Sequence, residues 1–517
     1  MVVHHRPVWG QAGNSHRTPG TRIKRYVRPV SRSALLTVLL AFALSVVVRW
    51  PLVDRPLSAH HEYCTAFTLI ALTNWWEDGY ATHHGMPSGG FIREAARLYP
   101  ADRYDRNARA VGTYYFSHPP LAFDLPYLLF VITDTAPNAA GLQWMNIFFH
   151  LVAALALFHA VRIGWGERLP RAPLYASVLY LLLPATLWFH GNAYMSDMFV
   201  QVPWALHLAF AMRVMRPDTR PSRWVWVGYG TTLFLMAYTS WLGVFAAVAG
   251  SVVGCWRWWH DRRTPIGVWL GWCAAAVVLA VGLTAWRYLQ VIDAEALIAQ
   301  LRSRYSVRGA FGLEHGLRPV LKQMALNYRI GFLPLILLLA LLLVYEVVRS
   351  GRRRSVPEGF WPFVLVSGLP VVLDHALLLQ YAMHDFAMLK AAPLLCGLAG
   401  WSLCLHTAYR RHLALAATCV ASILYFYRIN PLPGHDGGRY GQERALGTFI
   451  ADHAAADEVV FGQGVSTEPQ VVWYARRNVI GIADEAAARA FLRDRGITRG
   501  VLISATDSGY TAKHLER

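Results

Sequence analysis

Charge is scarce in this 517-residue chain. Only 15% of the residues are Asp, Glu, Lys or Arg, and the acids are the rarer half, 31 against 49 basic residues, a formal net charge of +18. So little charge beside 55% hydrophobic residues and a mean hydropathy of +0.30 excludes a disordered chain and argues against an ordinary soluble enzyme. Cysteine is scarce too. Of six, five (Cys255, Cys273, Cys396, Cys404 and Cys419) lie in or beside apolar runs, leaving no disulfide framework and no zinc-type spacing. A pI near 9.8 invites nucleic acid as a partner, but the basic residues punctuate long apolar runs instead of lining one face, so no nucleic acid is expected.

What the chain has in abundance is apolar runs of membrane-spanning length. Residues 1–32 carry seven Lys/Arg and no acid, residues 33–48 are apolar, and Arg49-Trp50-Pro51 suits the interface. No small-residue cleavage site follows, so the spacing predicts a retained first transmembrane helix with its N-terminus in the cytoplasm. Further runs at about 142–161, 172–189, 197–214, 224–240, 241–257, 265–286, 330–348, 360–379, 387–406 and 412–428 bring the expected spans to about eleven. In that ladder every inside connection is basic: Arg162/Arg168/Arg171, Arg213/Arg216/Arg220/Arg223, Arg257/Arg262/Arg263, Arg349/Arg352/Arg353/Arg354 and Arg410/Arg411. The short outer turns at 190–196, 240–241 and 380–386 hold no Lys or Arg. Counting 119–132 as a span would invert this order; its Asp124 and Pro126 suit a helix lying in the outer interface.

The expected fold class is therefore an α-helical polytopic membrane protein with a small C-terminal α/β domain. Its parts are a basic cytoplasmic N-terminus (1–32), a transmembrane domain (33–428) with outer loops 50–141 and 287–329, and an extracytoplasmic domain (429–517). In the last, strands are expected at 458–461, 470–474 and 500–504, and helices at 442–455 and 484–495.

The first outer loop concentrates candidate chemistry. Residues 66–76 predict a helix pressed onto the membrane surface, closed by Trp75-Trp76-Glu77-Asp78-Gly79. Glu62, just before it, has two readings. It is a carboxylate in a partly desolvated cleft that takes a proton from an acceptor hydroxyl, or an acid favoured by the helix dipole by at most ~1 kcal/mol. His60 and His61 suit orienting Glu62, touching phosphate or holding a metal, but adjacent histidines point apart and chelate poorly by themselves, so no metal site is assigned. His118 is held on the outer surface by the extended entry that Pro119-Pro120 imposes, and a structural turn would need the prolines but not the histidine.

The 287–329 loop sets seven Lys/Arg against three acids on the translocated side. That points to a bound anion, phosphate on arginine or anionic lipid headgroups. His384-Asp385 with Lys390, Asp374 and His375 form a second polar cluster, for which a buried Asp385–Lys390 ion pair is the structural alternative; Asp197 marks a third.

In chain order, His60-His61-Glu62-Tyr63, the run Tyr114-Tyr115-Phe116-Ser117-His118-Pro119-Pro120-Leu121, Tyr194-Met195-Ser196-Asp197, Thr239-Ser240-Trp241-Leu242-Gly243, His384-Asp385-Phe386 and Val472-Trp473-Tyr474-Ala475-Arg476-Arg477 resemble the GT-C glycosyltransferases. The nearest branch resembles the protein mannosyltransferase and aminoarabinose transferase families (family 39-like). The resemblance implies a polyprenyl-phosphate-linked sugar donor, transfer on the non-cytoplasmic face with inversion at the anomeric carbon, and a lipid, glycan or protein acceptor. It carries the His-Pro-Pro motif onto His118, Pro119 and Pro120, and the polar mouth onto His384 and Asp385. The family's catalytic acid lies in an Asp-Glu pair after the first span, where this chain has His61-Glu62. The base then falls to Glu62, to Asp54 or to another loop acid.

The expected catalytic set is Glu62, His61 and His118. The expected substrate-binding set is His60, Asp197, Arg304, Arg308, His384, Asp385 and Lys390, with Arg304, Arg308 and Lys390 on phosphate. A single phosphate leaving group lessens the need for a metal; no cofactor is assigned, and a divalent cation stays open. The expected location is the cell (inner or plasma) membrane, with membrane lipids as partners. Two other classes stand beside this one: a lipid-linked saccharide transporter or flippase, against which the lack of duplicated halves speaks, and a polysaccharide polymerase or ligase, separated only by its acceptor.

Overall fold

The structure is a computed structural model that describes residues 31–58, 60–216, 220–262, 265–309, 316–349, 359–507 and 509–517. The basic segment 1–30, together with Arg263, Arg352, Arg353, Arg354 and Glu314, lies outside the described residues. Helix α1 (Arg32–Arg49) opens with Ser31, whose hydroxyl accepts from the Ala34 N–H. The first large loop carries α2 (Tyr63–Asp78), α3 (Ile92–Leu98), α4 (Arg106–Thr113) and α5 (Leu121–Ile132). The chain then runs through α6 (Ala139–Trp165), α7 (Ala172–Leu182), α8 (Pro184–Phe189), α9 (Ser196–Phe199), α10 (Gln201–Val214), α11 (Arg223–Ala237), α12 (Leu242–His260) and α13 (Ile266–Leu289). Helix α14 (Ala294–Arg308) fills the second large loop. It is followed by α15 (Leu317–Arg349), α16 (Phe360–Leu377), a 3-10 stretch at Asp385–Ala391 running into α17 (Ala392–Leu403), and α18 (Ala408–Ile429).

Among the described residues, eight helices are long and apolar enough to cross a membrane. Three expected runs fold shorter. Pro184 divides 172–189 into α7 and α8, 197–214 divides into α9 and the 14-residue α10, and α11 has 15 residues. A 15-residue helix is about 22 Å long, less than the roughly 30 Å hydrocarbon core. Apolar side chains such as Leu40, Val278 and Leu341 face outward, an arrangement that suits a lipid solvent and would be a liability in water. The largest core lies where α6, α7, α10 and α17 meet, around Trp165, Tyr180, Trp204 and Phe363.

Helix α2 is not a surface helix. Ala66, Leu69, Ile70, Leu72 and Trp75 are fully buried, and it packs against α5 and the C-terminal part of the chain. The expected stop is as drawn, since Gly79 at φ +91 accepts a conformation that a side chain would strain. Helix α5 has 12 residues, and its Asp124 is held by Arg287 at 2.9 Å and by the Tyr80 hydroxyl.

The tail forms α19 (Gln442–His453), β1 (Val459–Gln463), α20 (Pro469–Ala475), β2 (Val479–Gly481), α21 (Glu485–Arg495), β3 (Arg499–Thr506) and β4 (Gly509–Glu516). The strand expected at 470–474 is helix α20. Pro469 at its first turn starts a helix readily, and a short apolar run does not by itself distinguish the two. The sheet order is β2-β1-β3-β4, with β4 antiparallel to β3 and the other pairs parallel. Alternation sends Val460, Val501 and Ile503 to the side of α19 and α20, and Phe461, Leu502 and Leu515 to the side of α21.

Candidate active site

Two polar clusters meet beside the large loops. The first is built on α14, where Arg304 and Arg308, four residues apart, share a helix face. A cavity of about 280 Å³ opens there, walled by Trp241, Val244 and Phe245 and lined by His118, Arg304, Arg308 and Tyr381. Trp241 is fixed to the loop by its indole N–H, which donates to the Ser117 carbonyl at 2.9 Å. Pro119 and Pro120 lead into α5, and the preceding His118 is buried with its carbonyl accepting from the Tyr288 hydroxyl. His118 Nε2 lies 3.4 Å from both Arg308 Nη1 and Tyr381 Oη, and Nδ1 has no hydrogen-bond partner. Burial, reinforced by the Arg308 charge, pushes the His118 imidazole down to about 3, so the ring is neutral.

Behind this cavity the charges are locked. The Tyr381 hydroxyl donates to Asp197; Asp197 sits 3.2 Å from Lys390 Nζ; and Lys390 Nζ donates to both Asp374 oxygens at 2.9 Å. All three charged side chains are buried, and two carboxylates around one ammonium make the partnership tight enough to persist away from water. The structural alternative drawn from sequence, Lys390 with Asp385, is thus replaced. Lys390 takes Asp374 and Asp197, leaving Asp385 for the histidines.

The second cluster forms where the turn before α2 meets the 3-10 stretch. Asp385 Oδ1 lies 2.6 Å from His61 Nε2, and Oδ2 lies 2.9 Å from His60 Nε2. His60 stacks on Trp188 with ring centroids 4.7 Å apart, and the Trp188 indole donates to the His60 carbonyl. His61 and His384 rings approach to 6.0 Å, and His384 and Tyr381 to 5.7 Å, which joins the two clusters. Burial and then the nearby His61 hold the His384 imidazole below its ordinary value.

Glu62 faces neither cluster. Its carboxylate is 0% exposed, bound at two points by Arg55 (2.9 and 3.0 Å), and it accepts from the Ser58 N–H at 2.8 Å. Burial pushes its carboxyl above the usual range against the pull of Arg55. Neither Glu62 nor His384 lines the cavity, which of the expected residues takes in His118, Arg304 and Arg308. Arg55 is in turn covered by the Tyr440 ring at 3.7 Å. Consecutive non-glycine residues at positive φ, His60 at +58 and His61 at +63, cost of order 1 kcal/mol each and need such bracing. Among the described residues no group of His, Cys, Asp and Glu with metal-holding geometry is present.

Tyr381, Arg55, Asn430 and Tyr440 are the participants that sequence reasoning missed. Arg55 alone left a signal, a cation just beyond the first span on the side that the inside rule keeps poor in bases. The others are single aromatic or amide residues with no spacing to mark them.

No protein-family model matches the sequence, and no curated protein does. Solved structures do match. ArnT from Cupriavidus metallidurans, bound to undecaprenyl phosphate, superposes with a TM-score of 0.57 at 15% identity over 92% of this chain and 93% of that one. The oligosaccharyltransferase AglB from Archaeoglobus fulgidus, in complex with an inhibitory peptide and a dolichol-phosphate, gives 0.54 at 12% identity over 91% and 69%. The chain has the GT-C fold. At these identities the likeness is one of fold, and it extends over 92% and 91% of the chain.

Proposed function

We propose that this chain is a membrane glycosyltransferase that moves a hexosyl or pentosyl unit from a polyprenyl-phosphate donor to an acceptor on the outer face of the membrane. The observation that carries the reading is the cavity itself: an apolar wall from α12, fit for a lipid chain, ends at two arginines and a neutral histidine, fit for its phosphate. The same fold holds undecaprenyl phosphate in ArnT and dolichol-phosphate in AglB.

In this reading Arg308 and Arg304 neutralise the lipid phosphate as it leaves. His118 lends a ring that adds no charge of its own, and the Asp197–Lys390 pair fixes Tyr381 beneath it. His384 lies between this phosphate end and the His60-His61-Asp385 cluster, on the path of an incoming acceptor. The basic loops orient the chain with its N-terminus in the cytoplasm and its tail outside. The test is incubation of the purified protein with a panel of polyprenyl-phosphate sugars and scoring of lipid phosphate released. Turnover with at least one donor is expected, and Arg308→Ala lowers it roughly 10- to 100-fold, the worth of one charge-assisted contact. Full turnover in Arg308→Ala removes the cavity as the donor site.

A further inference from the structure

The turn at His60 and His61 plays no part in holding lipid phosphate, yet it is the most constrained backbone near the cleft. Its polar contacts are few and specific. Asn430 donates its amide to the Phe426 carbonyl, which leaves its Oδ1 to face His60 Nδ1 at 3.1 Å. His60 Nε2 meets Asp385 Oδ2 at 2.9 Å. Both His60 nitrogens therefore face side-chain oxygens, one of Asn430 and one of Asp385. His61 meets the other carboxylate oxygen. Its Nε2 lies 2.6 Å from Asp385 Oδ1, and its buried Nδ1 has no hydrogen-bond partner.

The neighbouring carboxylates are already engaged: Glu62 with Arg55, and Asp197 and Asp374 with Lys390. His118 also has a free nitrogen, but Arg308 at 3.4 Å disfavours a proton there. Resting on the reading of a polyprenyl-phosphate donor, we propose that His61, oriented by Asp385, takes the proton of the acceptor hydroxyl or amine, and that Glu62 acts only through Arg55 to hold the turn. The acceptor oxygen or nitrogen forms the bond to the anomeric carbon as its proton passes to His61 Nδ1. The bond from that carbon to the phosphate oxygen breaks, and its electron pair leaves with the lipid phosphate beside Arg308. Asp385 stabilises the imidazolium until solvent takes the proton.

The experiment compares His61→Gln and Asp385→Asn with the wild type, measuring turnover of an undecaprenyl-phosphate sugar and binding of undecaprenyl phosphate on the same preparations. His61→Gln is expected to lose turnover about 100-fold while lipid-phosphate affinity stays within about twofold, because proton transfer is lost and the cavity is untouched. Asp385→Asn is expected to move the acidic limb of the kcat profile, a readout that a purely structural role leaves in place. Wild-type turnover in His61→Gln, an unmoved limb in Asp385→Asn, or loss of lipid binding in step with turnover overturns the proposal. A wild type that binds undecaprenyl phosphate but transfers no sugar to any acceptor removes the glycosyltransferase reading itself, and the proposal with it.

Discussion

Glu62 is bound up with Arg55 in a buried ion pair. Both are buried, each is the other's counter-ion, and the carboxylate has no exposed edge for a substrate. Glu62→Gln therefore leaves a guanidinium uncompensated and is expected to cost about 3–5 kcal/mol, read as a lower unfolding temperature in detergent. The double change Arg55→Met with Glu62→Leu recovers part of that loss, because it removes both desolvation penalties together. His118 gives the residue scale a pH signature. The unfolded ring titrates near 6.5, while the folded ring is held at about 3, so the unfolded chain binds more protons between those values. The stability contributed by the neutral ring is whole above about 6.5 and is lost as pH falls toward 3. His118→Asn should show a shallower drop in melting temperature between pH 7 and pH 4 than the wild type.

At the scale of elements, close approaches set the site. A Cβ on Gly243 would lie 2.1 Å from the Ala237 nitrogen, so the turn joining α11 to α12 closes only over a glycine. Gly243→Ala is expected to cost about 1–3 kcal/mol and, by shifting Trp241 off the Ser117 carbonyl, to weaken lipid-phosphate binding. Thermal unfolding and binding measured together check both halves. The tail clamps the first loop through a few polar contacts: the Leu57 N–H donates to Tyr474 Oη at 2.7 Å, and Gln470 donates to the Ser58 carbonyl at 2.6 Å. Tyr474→Phe removes the first and is worth about 1 kcal/mol by the same melting assay. Sequence pattern marked the motif around Val472-Trp473-Tyr474 but assigned it to a strand. Its helical state comes from Pro469 and from packing on α2 and α19, neither of which a five-residue window contains.

For the whole molecule, the proposed orientation rests on the distribution of arginine, and it is open to direct measurement. In a background freed of its native cysteines, a thiol placed at exposed Ser466 should react with a membrane-impermeant maleimide on intact cells. One at exposed Arg262 should react only after the membrane is breached; the reverse pattern would invert the topology. The apolar runs, the basic stretches between them, the short helix at 121–132 and the tail's mixture of helix and strand were all legible, because hydropathy and positive charge act locally along the chain. Which runs are long enough to span was less so, since Pro184 and the break before α10 shorten helices that composition alone joins. Charge partnership was not legible at all. Asp385 lies more than three hundred residues from His60 and His61, Lys390 chose Asp374 and Asp197 over the nearer Asp385, and Arg55 claimed the acid that the motif seemed to offer for catalysis. A buried charge selects its counter-ion by distance in space and by what desolvation leaves unpaired, and only the folded chain decides that.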